Sequence, residues 1–129
     1  RHEEARDLLE AALQSAEKTF DPEHPDVAVC QSNLAIVYSD LNLNDKALDL
    51  LEAAFKSDLK NFGPDHPTVA VAQSNLANAY RRSGSFEEAR GLFEAALQSN
   101  LKNFGPDHPN VAGIQSNLAA CLKQPCSQI

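Results

Sequence analysis

Hydrophobic side chains recur along this chain at steps of three and four residues, the spacing that places them on one face of an α-helix. In one set of segments the apolar positions are Val27, Cys30, Leu34, Tyr38 and Leu41, then Val69, Ala72, Leu76 and Tyr80. In the segments between, they are Ala47, Leu50, Leu51, Ala54, Phe55, Leu59 and Phe62, then Ala89, Leu92, Phe93, Ala96, Leu97, Leu101 and Phe104. The pattern predicts six helices, over residues 2–20, 26–41, 45–61, 68–82, 86–103 and 110–124.

The same pattern is an internal repeat with a period of 42 residues. The block FDPEHPDVAVCQSNLAIVY begins at Phe20, and related blocks begin 42 and 84 residues later. A second block, ALDLLEAAF from Ala47, has counterparts one period before and after it. Such a period indicates units that cannot bury their apolar side alone and stack on their neighbours. We expect one solenoid over 1–124, comprising the second helix of a preceding repeat (2–20), repeats at 21–62 and 63–104, a partial repeat at 105–124, and a non-repeating tail at 125–129.

Proline and glycine mark the predicted helix ends. Pro25 and its counterparts at Pro67 and Pro109 suit the first turn of a helix, where a missing backbone N–H is tolerated. Gly63 and Gly105 follow the second helix of their units, where a left-handed cap is expected. Asp21 takes that position in the first unit, which predicts a looser cap there.

Composition and charge narrow the classes of partner. The net charge is -7 with a pI near 4.9, which argues against nucleic acid or an anionic membrane as the partner. The sequence contains neither an apolar run long enough to span a membrane nor a signal peptide. Its three cysteines have no zinc-site spacing, so we expect a cytoplasmic protein with reduced thiols. Since the sequence starts inside a helical pattern without Met, we expect an excerpt of a longer protein.

Paired helices with these core residues resemble tetratricopeptide (TPR) repeats. The longer unit, with GPDHP between repeats and a following NLA, is similar to the 42-residue type found in kinesin light chains. The resemblance implies an all-α, right-handed superhelical solenoid of antiparallel helix pairs, in which the first helix of each pair lines a concave groove that holds a peptide. The residues that carry the resemblance are Leu34, Ala35, Tyr38, Ala47, Leu51 and Ala54, then Leu76, Ala77, Tyr80, Ala89, Phe93 and Ala96.

The implied groove gives a set of candidate peptide contacts. Asn33, Asn75 and Asn117 recur at the 42-residue period, and each amide could clasp an extended peptide or simply bond neighbouring helices. Arg81 and Arg82 break the repeat, which indicates either an acidic partner or a solvated helix end. The predicted groove residues are Val29, Ser32, Asn33, Ile36 and Asp40, then Val71, Ser74, Asn75, Asn78, Arg81 and Arg82, then Gly113, Ser116, Asn117 and Lys123.

Other recurring polar residues have structural interpretations. Equivalent histidines in stacked units lie too far apart to share a metal ion, so His24, His66 and His108 are expected to be turn residues. Cys30 aligns with apolar residues and is expected to be buried, whereas Cys126 in the tail is expected to be exposed. A solvated convex side is predicted for Glu10, Glu52 and Glu94, with Lys18, Lys60 and Lys102 moderating their repulsion.

The sequence therefore predicts a binding module. It contains no GxxxxGK, GxSxG, HExxH or GxGxxG motif, so we expect neither enzymatic activity nor a cofactor or metal. The primary prediction is a scaffold or adaptor that binds a peptide segment of a partner protein. The alternative is homo-oligomerisation, because Pro125 stops the chain before a second helix can cover the apolar stripe of Val111, Ile114, Leu118 and Leu122.

Overall fold

The computed structural model describes residues 1–123, and these form helices without any strand. Each predicted helix is present, with ends within two residues of those expected from the sequence. The tail at 125–129, including Cys126, lies outside the described residues. The helices are α1 (His2–Thr19), α2 (Pro25–Asp40), α3 (Asn44–Phe62), α4 (Pro67–Arg82), α5 (Phe86–Phe104) and α6 (Pro109–Leu122).

Helices α2, α4 and α6, called the first helices below, all begin in the same way. His24 is the N-cap of α2, and its Nδ1 accepts a hydrogen bond from the backbone N–H of Asp26 at 3.0 Å. Its ring stacks on Phe20 with centroids 4.1 Å apart. His66 and His108 cap α4 and α6 through the same bond. The prediction of histidine turn residues is confirmed, and proline follows each one at the first helical position.

Helices α3 and α5 end at glycine, whereas α1 does not; these three are called the second helices below. Gly63 and Gly105 have φ of 85° and 84°, the positive values expected of a glycine cap. Their ψ values of 164° and 170° are extended, so these residues leave the helix directly instead of forming a left-handed turn. Asp21 replaces glycine after α1, which ends one residue earlier at an extended Phe20.

The first compact unit, Arg1–Gly63, contains α1, α2 and α3. Helix α2 is central and contacts both second helices. Its core residues Val27, Leu34 and Ala35 are buried, as are Ala47 and Leu51 of α3. The alternation of a first helix with second helices thus produces the expected antiparallel pairs.

The second compact unit begins at Pro64 and contains α4, α5 and α6. Here α5 is central, and its buried residue Phe93 packs in a cluster with Ala70 and Ala77 of α4 and with Ile114 and Cys121 of α6. Helices α4 and α6 also contact each other directly. This unit therefore places two first helices side by side.

A polar contact, which we call the repeat clasp, fastens the end of each of α3 and α5 to the loop before the first helix of the same repeat. In the first unit, Ser57 Oγ and Asn61 Nδ2 donate to the backbone oxygen of Glu23 at 3.0 and 2.7 Å, and Lys60 pairs with the Glu23 carboxylate. In the second unit the same contacts join Ser99, Asn103 and Lys102 to Asp65. Lys60 and Lys102 thus form ion pairs within the clasp, a role that the sequence analysis did not predict for them.

Several positions assigned to the core are less buried than expected. Leu59 and Phe62, with their counterparts Leu101 and Phe104, are exposed because the last turn of each second helix extends past the start of its partner helix. Cys30 is half-buried rather than buried. Its counterpart Ile114 packs towards the preceding second helix, and for Cys30 that helix is α1, which has no buried residue.

Candidate peptide-binding surface

The outward side of α4 presents one stripe of candidate contacts. Val71, Asn75, Asn78 and Arg82 follow one another at steps of three and four residues, so they share a helix face. Val71 is 55% exposed and Arg82 is exposed, while the two asparagines are half-buried. The stripe combines an apolar contact, two amides and a cation, none of which belongs to the buried cluster under α4.

Helix α6 adds two candidate residues to the surface of the second unit. Asn117 is half-buried at the position that Asn75 occupies on α4, and Lys123 is exposed just beyond the helix. Helices α4 and α6 contact each other, so these two residues belong to the same compact unit as the candidate residues of α4. Both contribute hydrogen-bonding groups that an extended peptide backbone or a carboxylate could use.

Arg81 is held partly inside this surface. Its Nη2 donates to Asn78 Oδ1 at 3.0 Å, and its Nε is buried without a hydrogen-bond partner within residues 1–123. Burial raises the pKa of the Cys121 thiol on α6, and the positive charge of Arg81 opposes that shift. Arg81 is therefore half-buried and lies close enough to α6 for its charge to act on Cys121.

This surface carries three cations, at Arg81, Arg82 and Lys123. Among the ion pairs formed by residues 1–123, none involves Arg81, Arg82 or Lys123. In the first unit the residues equivalent to Arg81 and Arg82 are Ser39 and Asp40. The second unit therefore carries a local positive charge in a protein whose net charge is -7.

In the first unit the candidate positions on α2 are more open. Asn33 and Ile36 are exposed, and the exposed Asp40 lies 3.8 Å from His2 Nδ1. Gln31 and Gln73, which lie two positions before Asn33 and Asn75 in the sequence, point their Oε1 atoms inward. These two oxygens are buried and accept no hydrogen bond from the described part of the chain. The glutamines are therefore part of the helix packing, while the asparagines remain accessible.

The sequence analysis missed a buried tyrosine–carboxylate pair. Tyr38 donates its hydroxyl to Glu10 Oε2 at 2.6 Å, so Glu10 faces α2 and the prediction of a solvated side chain was wrong. Glu52 is half-buried, which also departs from that prediction, whereas Glu94 is exposed as expected. The hydrogen bond to Glu10, burial of the ring and the negative charge of Glu10 raise the pKa of Tyr38 to about 12. The available signal in the sequence was that both residue types, glutamate at Glu10 and tyrosine at Tyr38, recur 42 residues later.

This pair lines a cavity of about 490 Å³ between α1 and α3 in the first unit. The carboxylates of Glu17 and Asp49 and the ammonium group of Lys46 share its wall, and Lys46 Nζ lies 5.6 Å from the centroid of the Tyr38 ring.

Across residues 1–123, no three His, Cys, Asp or Glu side chains are grouped to hold a metal ion. In the same region no helix is both long and apolar enough to cross a bilayer.

Comparison with known proteins agrees with this architecture. The sequence profile of the Tetratricopeptide repeat matches residues 1–60, 44–100 and 68–125. No curated protein sequence gives a significant match.

Solved structures provide the structural comparison. The chain is similar to a kinesin light chain-like protein of Podosopora anserina with nearly identical TPR-like repeats, at 31% identity and a TM-score of 0.89, over 93% of this chain and 57% of that one. It is also similar to BtubC (BKLC) from P. vanneervenii, at 28% identity and a TM-score of 0.80, over 93% of this chain and 47% of that one. The chain thus spans about half the length of these structures.

Proposed function

Because the chain belongs to the tetratricopeptide repeat family, we propose that it binds a peptide segment of a protein partner and acts as a scaffold or adaptor without catalysing a reaction. Repeats of this family generally mediate protein–protein interaction. The similarity to kinesin light chain-like structures agrees with the 42-residue type expected from the sequence. The proposed setting is the cytoplasm, where Cys30 and Cys121, both unpaired, would stay reduced.

The single observation that carries the proposal is the group of unpaired cations on α4 and just after α6. Arg81, Arg82 and Lys123 have no ion-pair partner within the described residues, and they flank the amides of Asn75 and Asn117. Charge-assisted hydrogen bonds to a carboxylate are among the strongest polar contacts that proteins make. The surface therefore fits an extended peptide that carries acidic side chains, with its backbone on the amides.

Exposed apolar side chains would add affinity that charge alone does not supply. Val71 lies one helical turn before Asn75 and is exposed, so an apolar side chain of the peptide can cover it. On α2 we propose that Asn33, Ile36 and Asp40 also contact the peptide. They occupy the positions of the repeat at which α4 carries Asn75, Asn78 and Arg82. Asp40 would there favour a basic residue of the ligand, in contrast to the equivalent Arg82.

The test is capture of fluorescent peptides by the 129-residue chain, comparing acidic, basic and neutral extended sequences. We expect the acidic peptides to bind best. Replacing both Asn75 and Arg82 by Ala should weaken that binding by roughly 10- to 100-fold, since lost hydrogen bonds to a charged group cost about 1.5–3 kcal/mol. The circular dichroism spectrum and the melting temperature should stay nearly unchanged, because neither side chain is buried.

Lys56→Ala is the matched control for this test. Lys56 is an exposed cation on α3, a helix that carries none of the candidate residues, so its removal changes the net charge equally and leaves every candidate residue in place. Equal affinity of the double variant and the wild type for acidic peptides would contradict the assignment. Equal weakening by Lys56→Ala would show that net charge, and not this surface, controls binding.

Self-association is the second candidate function, and the exposure of α6 favours it. Leu122 stands where α2 and α4 carry tyrosine, and it is 58% exposed. This candidate uses different residues from the peptide surface, so the two functions can coexist.

A further inference from the structure

The cavity between α1 and α3 has an apolar floor. Leu34 and Tyr38 of α2 line it and are buried, and the half-buried side chains of Leu13 and Leu50 line it from α1 and α3. All three helices around it belong to the first unit, in which α2 contacts both of the others. Its volume of about 490 Å³ lies within the range of roughly 300–1,000 Å³ that is usual for small-molecule sites. The cavity therefore offers a hydrocarbon group both space and apolar contacts.

The charged side chains of the cavity are mostly acidic. Glu10, Glu17 and Asp49 contribute three carboxylates to its lining, and Lys46 contributes an ammonium group. Glu17, Asp49 and Lys46 are exposed and form no ion pair with any of residues 1–123. Because carboxylates outnumber ammonium groups, a ligand that enters from solvent meets a negative potential. A cation, and not an anion, is the ligand that these walls attract.

One end of the cavity already holds a cation of the protein itself. Lys46 Nζ lies 5.6 Å from the centroid of the Tyr38 ring, within the roughly 6 Å at which the face of an aromatic ring attracts a cation. The hydroxyl group of this ring donates to Glu10, and a carboxylate that accepts one hydrogen bond can accept others. Since Lys46 is exposed and has a flexible stem, a second cation can displace it. The position of Lys46 thus shows which kind of group this end of the cavity binds.

Two of the charges that line the cavity are not part of the repeat pattern. Glutamate stands both one period before and one period after Lys46, and leucine stands one and two periods after Glu17. Helix α5 has glutamate and leucine at these two positions and still packs against both of its neighbours in the second unit. The packing of a second helix therefore requires neither charge, and both are available for binding.

The spacing of the carboxylates fits an organic cation and not a metal ion. Glu10 and Glu17 are seven residues apart on α1, which places them about 10 Å apart along the helix axis. A metal ion binds its oxygen ligands at roughly 2–2.6 Å, so these two carboxylates cannot share one. In the part of the chain that the structure describes, no three His, Cys, Asp or Glu side chains form such a group. A ligand with a hydrocarbon stem can instead lie along the cavity.

From these observations we propose that the cavity binds an aliphatic cation, meaning an ammonium or guanidinium group on a hydrocarbon stem. The stem would cover the three leucines of the cavity, and the cationic group would bind its carboxylates in competition with Lys46. A free amine and a lysine or arginine side chain of a protein partner share this chemistry. None of the lining residues belongs to the candidate peptide-binding surface, so this site is additional to the proposed function and does not rest on it.

The first experiment is an NMR titration of the 129-residue chain with two ammonium compounds. Butylamine represents a free amine, and Nα-acetyl-lysine amide carries the same four-carbon stem on a peptide backbone. We expect saturable shifts of the amide resonances that are largest at Leu13, Gln14 and Leu50, and the compound that binds more tightly identifies the source of the cation. Potassium chloride at the same concentration should not reproduce these shifts, because the potassium ion has no hydrocarbon stem. Shifts spread evenly over the acidic surface, without saturation, would overturn the proposal.

Variants of the charged residues test the site itself. Glu17→Gln should weaken binding by about two- to fivefold, the range of an exposed ion pair, and Lys46→Ala should strengthen it by a similar factor because a competing cation is removed. Glu94→Gln is the matched control for the first variant, and Lys56→Ala is the matched control for the second. Both control residues are exposed and lie outside the cavity, so these variants change the net charge equally and should bind like wild type.

The sign of the Lys46→Ala effect separates binding from a structural role. Unchanged or weaker binding by this variant would overturn the proposal, since a side chain that only supports the fold does not compete with the ligand. Equal weakening by Glu17→Gln and Glu94→Gln would overturn it as well, because net charge would then control binding. The peptide-binding proposal can fail independently, as replacing both Asn75 and Arg82 by Ala leaves the cavity intact and should not alter the binding of either compound.

Discussion

At the scale of single residues, Tyr38 shows how a side chain can be fixed by a partner 28 positions earlier in the sequence. Its ring is buried, and its hydroxyl reaches the carboxylate of Glu10. Ionising the phenol would place a second negative charge beside that carboxylate and would remove the donated hydrogen bond. The pKa of Tyr38 is therefore raised from 10.0 to about 12.

The raised pKa predicts a loss of stability in alkali. A group whose pKa is higher in the folded state contributes fully below its unfolded value and loses that contribution as the pH rises through the folded value. The free energy of unfolding should thus fall between pH 10 and 12, by about 2 kcal/mol from this residue. Tyr38→Phe should cost about 1 kcal/mol at neutral pH and should remove this part of the alkaline loss.

Chemical denaturation at pH 7, 10 and 12 measures both effects. Tyr80 is present in both proteins, so the difference between wild type and Tyr38→Phe isolates the effect of Tyr38. Parallel alkaline losses in the two proteins would mean that the phenol does not depend on Glu10.

At the scale of elements, two glycines in the second unit should respond oppositely to the same substitution. Gly105 ends α5 with φ of 84° and ψ of 170°, a conformation that side chains strongly disfavour, while Gly91 lies within α5. A Cβ at either position would meet no neighbouring atom, so sterics with the surroundings play no part. Gly105→Ala should lower the free energy of unfolding by about 1–3 kcal/mol, whereas Gly91→Ala should raise it by about 0.5–1 kcal/mol.

Thermal and urea unfolding of the two single variants provide the measurement. Gly91→Ala serves as the internal control, because it adds the same methyl group to the same helix. If both variants changed the free energy of unfolding in the same direction and by a similar amount, the backbone conformation at Gly105 would not determine the cost of Gly105→Ala.

The helices could be predicted from sequence because their ends depend on local chemistry. Proline at the first helical position and glycine after the last can be predicted without knowing the fold, and the structure has both, although the glycines combine a positive φ with an extended ψ instead of the left-handed cap expected. The repeat clasp could not be predicted in this way, since its bonds join residues 34 to 38 positions apart and polar side chains follow no core periodicity. For the same reason, the sequence repeat shows that the asparagines and glutamines recur, but it does not show which of these side chains point inward.

The candidate peptide-binding surface could be predicted only in part from the sequence, for a related reason. The positions of Asn75 and Arg82 on one helix face follow from their spacing. That Arg81 is bound to Asn78, and that no carboxylate of residues 1–123 pairs with these cations, depends on packing in three dimensions. Sequence thus indicated the face, and the coordinates indicated which groups on it are free to bind.

At the scale of the whole molecule, net charge and local charge act in opposite directions. The chain carries a net charge of -7, so an acidic peptide or a second copy is repelled at a distance. Binding in either case must come from short-range contacts. For a peptide these are the cations of the second unit, which form no ion pair within residues 1–123, and for a second copy they are exposed apolar side chains such as Leu122.

Self-association, the second candidate function, should make the melting temperature depend on concentration. A contact that forms only between folded copies stabilises the folded state by mass action, so a tenfold rise in concentration above the dissociation constant adds about 1.4 kcal/mol. That increment corresponds to a rise of a few degrees in the melting temperature for a chain of this size. Scanning calorimetry of the 129-residue chain at two concentrations tenfold apart should show the rise. Because no peptide is present in this measurement, a midpoint independent of concentration would argue against self-association and leave the peptide-binding proposal untouched.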